Sequence, residues 1–278
     1  MAEAPEAPVN VRPVRVVRYP AGPLTLDDDL IVEGDNADVL PLLPEAAFDL
    51  IYVDPPFNTG RERRGLRDVT HATYPDSFED YLGWLLPRLA HADRLLSPHG
   101  TLYVHLDQRE AHYVKVALDG LFGRERFLNE IVWAYDFGGR PTRRWPAKHD
   151  TILVYAREPG EHHFDTEAVD REPYMAPGLV GPIKAARGKS PTDVWWHTIV
   201  HTTGAERTGY PTQKPEGVVR RAVQASSRRG GWCLDFFAGS GTLGAVCAQL
   251  GRRYVLVDSS GAAVEIAARR LEGLAESA

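Results

Sequence analysis

Trp232-Cys233-Leu234-Asp235-Phe236-Phe237-Ala238-Gly239-Ser240-Gly241-Thr242 runs from an apolar stretch into a turn holding two glycines, then into a helical pattern. A short apolar run that stops at turn-forming residues reads as a buried strand. Glycines let a ligand approach the backbone closely, and a helix start presents unpaired N–H groups. The next apolar run, Tyr254-Val255-Leu256-Val257, stops at Asp258, where an acid can hold ribose hydroxyls. The unit reads as a nucleoside-binding βαβ element. It is not the dinucleotide fingerprint, because Phe237 stands where the first glycine would be. Taken alone, the stretch is equally a tight strand-to-helix turn with Asp258 as a helix cap, so a second motif must decide.

Other apolar runs end in the same way. Phe48-Asp49-Leu50-Ile51-Tyr52-Val53 stops at Asp54-Pro55-Pro56, and Thr101-Leu102-Tyr103-Val104-His105-Leu106 stops at Asp107. Thr151-Ile152-Leu153-Val154-Tyr155 precedes a polar stretch. These read as buried parallel strands. Helical patterns cover residues 79–96, 109–122, 216–227 and 262–274. The alternation predicts an α/β doubly wound sheet. Residues 1–24, rich in Pro and Ala, are read as an N-terminal tail and 25–278 as one domain. Within it, 136–210 breaks the rhythm and is read as an insertion over the active face.

The 278 residues are 43% apolar, enough for a substantial core. No apolar run approaches the roughly 20 residues that span a bilayer, and the start lacks a secretion pattern, so a soluble cytoplasmic protein without membrane association is expected. Cys233 and Cys247 match no disulfide framework or zinc spacing and read as buried small hydrophobes. The net charge of −6 disfavours nucleic acid in sum, but its distribution matters more. Arg61, Arg63, Arg64 and Arg67 form one basic cluster, diluted by acids. Arg140, Arg143, Arg144 and Lys148 form a second, and Lys184, Arg187 and Lys189 a third. Each cluster alone is as readily a solvated surface as a DNA contact.

The deciding motif is Asp54-Pro55-Pro56-Phe57-Asn58, directly after a buried strand. Two prolines remove two donors and stiffen the loop, which keeps nearby carbonyls free to accept. Phe57 offers a stacking face for a planar base. An exocyclic amine on a base is a poor nucleophile, because its lone pair is delocalised into the ring. A carboxylate and a carbonyl accepting from its N–H groups would stabilise the positive charge that develops on nitrogen. Asp54 and the Pro55 carbonyl are the candidate acceptors; a strand-capping turn is the competing reading.

Together, Asp54-Pro55-Pro56-Phe57 and Phe237-x-Gly239-x-Gly241 resemble the amino-methyltransferases of restriction–modification systems, in the motif order of their beta class. Thr212-Gln213-Lys214-Pro215, Gly34-Asp35-Asn36, residues 109–123 and Asn129-Glu130-Ile131-Val132-Trp133 are similar to further family segments, so the likeness covers most of 30–272. The resemblance implies a Rossmann-like, S-adenosylmethionine-dependent methyltransferase fold with 136–210 as target-recognition region. It implies methylation of the exocyclic amine of a base flipped out of double-stranded DNA. Asp54, Pro55, Pro56 and Phe57 would serve the target base. Phe237, Gly239, Ser240, Gly241, Thr242 and Asp258, with Asp54, would line the S-adenosylmethionine site. Asp35 and Asn36 would meet its adenine, and Thr212 and Lys214 its methionine end. Asp35 is equally placed to cap a helix, and Lys214 to be a solvated side chain. Arg61, Arg63, Arg64, Arg140, Arg143, Arg144 and Lys148 are the candidate DNA contacts. A cognate restriction endonuclease is an implied partner, and the short recognition region implies a second copy of the chain gripping the DNA as a homodimer.

Carbon-5 cytosine methylation needs a nucleophilic cysteine, usually after proline, and neither Cys233 nor Cys247 follows one. Adenine N6 and cytosine N4 both stay open, although Asp54 with Asn58-Thr59-Gly60 resembles the adenine enzymes. Protein or RNA amide methyltransferases share the Pro-Pro-aromatic loop but usually carry the cofactor loop first. A non-catalytic DNA-binding module would be expected to have lost Asp54 or the glycines. Methyl transfer from a sulfonium needs no metal, so His105 with Asp107, and His162 with His163, are read as structural or solvated. Trp195 and Trp196 are read as folding against the core rather than wedging into DNA.

Overall fold

The computed structural model describes residues 13–64 and 73–276. In chain order the elements are β1 (Val14–Arg18), β2 (Asp29–Glu33), α1 (Asn36–Val39), β3 (Phe48–Val53), β4 (Arg61–Arg64), β5 (Thr73–Asp76), α2 (Tyr81–Leu95), β6 (Leu96–Leu106) and α3 (Ala111–Phe122). They continue with β7 (Phe127–Ala134), β8 (His149–Ala156), α4 (Pro182–Arg187), β9 (Val194–Trp196), α5 (Glu216–Ser226), β10 (Trp232–Asp235), α6 (Thr242–Leu250), β11 (Arg253–Asp258) and α7 (Gly261–Glu276). One sheet holds nine of these strands in the order β1-β2-β11-β10-β3-β6-β8-β7-β9, and β4 pairs with β5 apart from it.

Alternate residues of each central strand feed opposite faces, because side chains of a strand alternate. Ile51, Val53, Val255 and Val257 join the leucines of α2 and α3 on one face. Leu50, Tyr52, Tyr254 and Leu256 join α5, α6 and α7 on the other. The doubly wound α/β arrangement follows. Helix α2 starts where the Asp80 carboxylate accepts from Gly83 N–H at 2.9 Å, and it buries Leu85, Leu89, Ala92 and Leu95 as one stripe. Cys233 and Cys247 are buried free thiols.

Two expectations need correction. The stretch read as a tail contains β1, which pairs in parallel with β2 at the sheet edge. The strand around Ile152, read as parallel, is antiparallel β8, lying between β6 and β7. Within residues 136–210, β8 is inside the sheet and β9 extends it at the edge beyond β7. Parallel strands from β1 through β6 carry their C-terminal ends to one edge, and antiparallel β8 begins at that edge.

Candidate active site

Parallel pairing of β10 with β3 sets Leu234 opposite Ile51. The loops that leave these strands, at Asp54 and at Phe236, therefore emerge side by side. One cavity of about 270 Å³ opens between them, lined also by Asp258 and by Tyr210, Thr212, Gln213 and Lys214. This is the crevice beyond the carboxyl ends of the strands where open α/β sheets bind ligands.

Lys214, 160 residues from Asp54 in sequence, donates to both oxygens of its carboxylate at 2.7 and 2.6 Å. Its ammonium also lies 4.5 Å from the centre of the Phe57 ring. Lys214 is thus neither a solvated side chain nor remote from the catalytic loop. The Tyr81 hydroxyl donates to the Pro56 carbonyl at 2.8 Å. Among the described residues no donor is bonded to the Pro55 carbonyl, which stays open beside Asp54. Asn58, at φ 54°, anchors the loop by donating to Glu110 and accepting from Phe78 N–H. Asparagine tolerates that left-handed backbone better than most residues.

Gly239 has φ 49°, and a Cβ there would lie 2.9 Å from the Tyr210 ring. Its N–H donates to Asp258 at 2.8 Å, while the other Asp258 oxygen accepts from Ser260 N–H at 2.9 Å. Burial nonetheless holds the Asp258 carboxyl above the ordinary carboxylate range. Asp235 accepts from Phe237 N–H, and burial raises its carboxyl well above the usual value, with the negative charges of Asp54 and Asp258 adding to the effect. Ser240 and Thr242 line the cavity, but their hydroxyls face each other, and Thr242 also donates to the Lys214 carbonyl at 3.3 Å. They tie the glycine turn to the lysine segment. Gly241 does not line the cavity; it stands at φ 72° with Ala267 of α7 where its Cβ would be.

At the other end, Trp84 lies 5.6 Å from Phe237 and 4.3 Å from Phe78. Arg88 donates to Asn36 at 2.6 Å and to Asp35 at 3.0 Å, and Asn36 donates to the Phe236 carbonyl at 2.8 Å. Asp35 caps α1 through Ala37 N–H and also lines the cavity. Thr212, at φ 58°, is hydrogen-bonded to Tyr74, whose ring stacks on Tyr210. Under Phe57, His105 is fully buried at 5.9 Å between ring centres, bonded to Tyr52 at 2.8 Å and Asp150 at 3.2 Å.

A family model for DNA methylases matches residues 48–269, which contain both loops of this cavity. The chain belongs to the DNA methylase family. The type II methyltransferase M.HpaI of Haemophilus parainfluenzae is 32% identical over 247 residues, covering 88% of this chain and 74% of that protein. The DNA adenine methyltransferase YhdJ of Escherichia coli K12 is 29% identical over 250 residues, 87% and 82% of the two chains. In fold, the chain superposes on PvuII DNA methyltransferase (cytosine-N4-specific) with a TM-score of 0.66 at 15% identity, covering 91% of this chain and 92% of that one. It is a beta-class DNA amino-methyltransferase of restriction–modification type, and its methyl donor is S-adenosylmethionine.

The residues of the cavity suit that donor. Trp84 and Phe237 offer aromatic faces for a purine, Asp258 an acceptor for hydroxyls, and Asp54 a carboxylate for a sulfonium. Trp84, Arg88, Tyr74, Tyr210 and Asp235 of the methyltransferase escaped the sequence reading. Tyr81, Trp84 and Arg88 do share one face of α2 by their spacing, the only local signal they carry.

The basic residues of the methyltransferase divide. Arg61 is exposed, whereas the side chains of Arg63 and Arg64, and all of Arg67, lie outside the described residues. Lys148 donates to the carbonyls of Phe137, Gly138 and Gly139, and Arg140 pairs with Asp136. Arg143 and Arg144 are exposed and form no ion pair among the described residues. Arg187 and Lys189 pair with Glu167 and Glu172. Trp195 is buried with its indole N–H on the Thr192 carbonyl, while Trp196 is exposed. No described helix is long and apolar enough to cross a membrane.

Proposed function

We propose that this methyltransferase acts on the N6 amine of adenine flipped out of double-stranded DNA, with Asp54 and the Pro55 carbonyl as acceptors and Phe57 as stacking face. The observation that carries the reading is the Asp54 carboxylate and the Pro55 carbonyl at the mouth of the cavity that the glycine turn and Asp258 also line. The identity with an adenine methyltransferase supports the base. Digestion of methylated DNA to nucleosides, followed by mass spectrometry, tests it: N6-methyladenine is expected, and N4-methylcytosine would replace adenine by cytosine.

Bound in the cavity, S-adenosylmethionine supplies an electrophilic methyl whose thioether leaves with the bonding electron pair. Asp54 accepts one amine N–H and the Pro55 carbonyl the other, so positive charge grows on nitrogen where acceptors already stand. Asp54 is the group placed to receive the proton that nitrogen sheds. Phe57 holds the base plane, and His105, wedged by Tyr52 and Asp150, holds Phe57 from below. Lys214 orients Asp54 in the free protein; a cofactor carboxylate is the second anion it can serve, so cofactor binding would loosen its hold on Asp54. The exposed loops after β7 and β8 would read the DNA. In the same reading a second copy completes the grip, and a cognate endonuclease cuts the same word in the cytoplasm.

Asp258 sets a pH limit. Its ionised carboxyl is the acceptor that ribose hydroxyls need, and its raised pKa means it takes up a proton at a pH above the usual carboxylate range. Cofactor affinity is expected to decline from that point as the pH falls. Fold stability runs the other way: a carboxyl whose folded pKa exceeds its unfolded one costs stability at neutral pH, and the cost is relieved as pH drops towards about 3.9. Asp258→Asn should bind the cofactor more weakly at pH 8 and lose the acid decline, measured by calorimetry across pH. An unaltered decline would assign it to another carboxyl such as Asp235.

A further inference from the structure

We propose that Trp145 enters the DNA base stack beside the extruded base and occupies the gap the base leaves. Because β8 runs antiparallel to β6, its first residue lies at the edge where β3 delivers Asp54, and Ala134 at the end of β7 is opposite His149. The loop joining β7 to β8 therefore rises from the same edge as the catalytic loop. Its foot is joined to the base side of the cavity: the Tyr135 hydroxyl donates to Asp150, which is bonded to His105 beneath Phe57.

The loop is built to present its tip. Asp136 and Gly138 turn through left-handed backbone, and the Lys148 ammonium gathers three successive carbonyls at 2.7, 2.7 and 3.2 Å. Beyond this staple, Arg143, Arg144 and Trp145 follow one another and are all exposed, Trp145 to 95%. On the same loop as the exposed Phe137 ring, Trp145 thus offers a large flat apolar face with a polar N–H at its edge. Two arginines without an acidic partner among the described residues stand beside it, which makes a polyphosphate the complementary surface. Flipping a base leaves a planar gap with two unstacked neighbours. A flat aromatic ring delivered between phosphate-bound arginines fills it, as apolar wedges do in bent duplexes.

The inference rests on the base-flipping part of the proposed function and is independent of which base is methylated. The test uses the full chain with wild-type sequence, Trp145→Ala and Trp145→Phe in single-turnover methylation. Two duplexes carry the recognised word, one matched and one with an abasic site opposite the methylated base, where extrusion is already easy. Trp145→Ala is expected to slow the matched duplex at least tenfold and the abasic duplex less than threefold, with Trp145→Phe close to wild type and cofactor affinity unchanged. Equal rates on the matched duplex would overturn the proposal. So would an equal loss on both duplexes, which would make Trp145 a general DNA or protein contact. Nucleoside analysis of the same reactions reports the base separately, so a cytosine product would sink the adenine reading and leave the wedge standing.

Discussion

Asp54→Asn is expected to lower the single-turnover rate of methyl transfer by about a thousandfold, near the upper end of what removing one preorganised electrostatic partner costs, with DNA affinity changed only slightly. The amide keeps the shape and one acceptor, but removes the charge that faces nitrogen as it turns positive. A second readout accompanies the first. Lys214 is nine-tenths buried, and with asparagine at 54 its ammonium keeps at most one of its two 2.6–2.7 Å contacts and loses the opposite charge. Breaking a buried pair costs roughly 3–5 kcal/mol, and partial exposure of this one reduces that to about 2 kcal/mol. A fall in melting temperature of about 4–8 °C should follow for a chain of this size. The rate is therefore measured well below that transition. Turnover within tenfold of wild type would remove Asp54 from the chemistry.

Gly239→Ala should weaken S-adenosylmethionine binding by tenfold or more while Gly241→Ala should chiefly weaken the fold. Both glycines have positive φ, which costs a residue with a Cβ about 1–2 kcal/mol. What their Cβ atoms would meet differs. At 239 it is the edge of Tyr210, whose ring stacks on Tyr74, which in turn is bonded to Thr212, so the wall of the cavity must move. At 241 it is Ala267 at 2.8 Å, between α6 and α7 and away from the cavity. Calorimetry with the cofactor and thermal melts of both variants separate the two. Unchanged cofactor affinity in Gly239→Ala would show that the turn does not touch the ligand.

How far the sequence could be read depended on how local each cause was. Strand β3 was legible to the residue because Phe48–Val53 is buried on both faces and ends in prolines. Strand β1 was not, since Val14–Arg18 lies at an edge, alternates Val with Arg and looks like a charged tail. The direction of β8 was illegible because an apolar run reads the same whichever neighbour it pairs with. Among the site residues, Asp54 and Phe57 carried a motif, whereas Trp84 and Arg88 belong to a helix whose leucine stripe dominates its pattern. That the Lys148 ammonium holds three carbonyls of its own loop was likewise illegible, because a lysine in a basic run reads only as charge.

The sequence by itself determined the alternation of strands and helices, the two loops that carry the chemistry and the family they belong to. Those features are written in runs of neighbouring residues, where apolar periodicity, proline and glycine act over a few positions. Only the tertiary structure decided that Lys214 grips Asp54, that Gly239 rather than Gly241 faces the cavity, and that the loop carrying Trp145 leaves the sheet at the edge where Asp54 lies. Each of these depends on strand order and direction, which are set by burial of whole faces and not by any local stretch of chain.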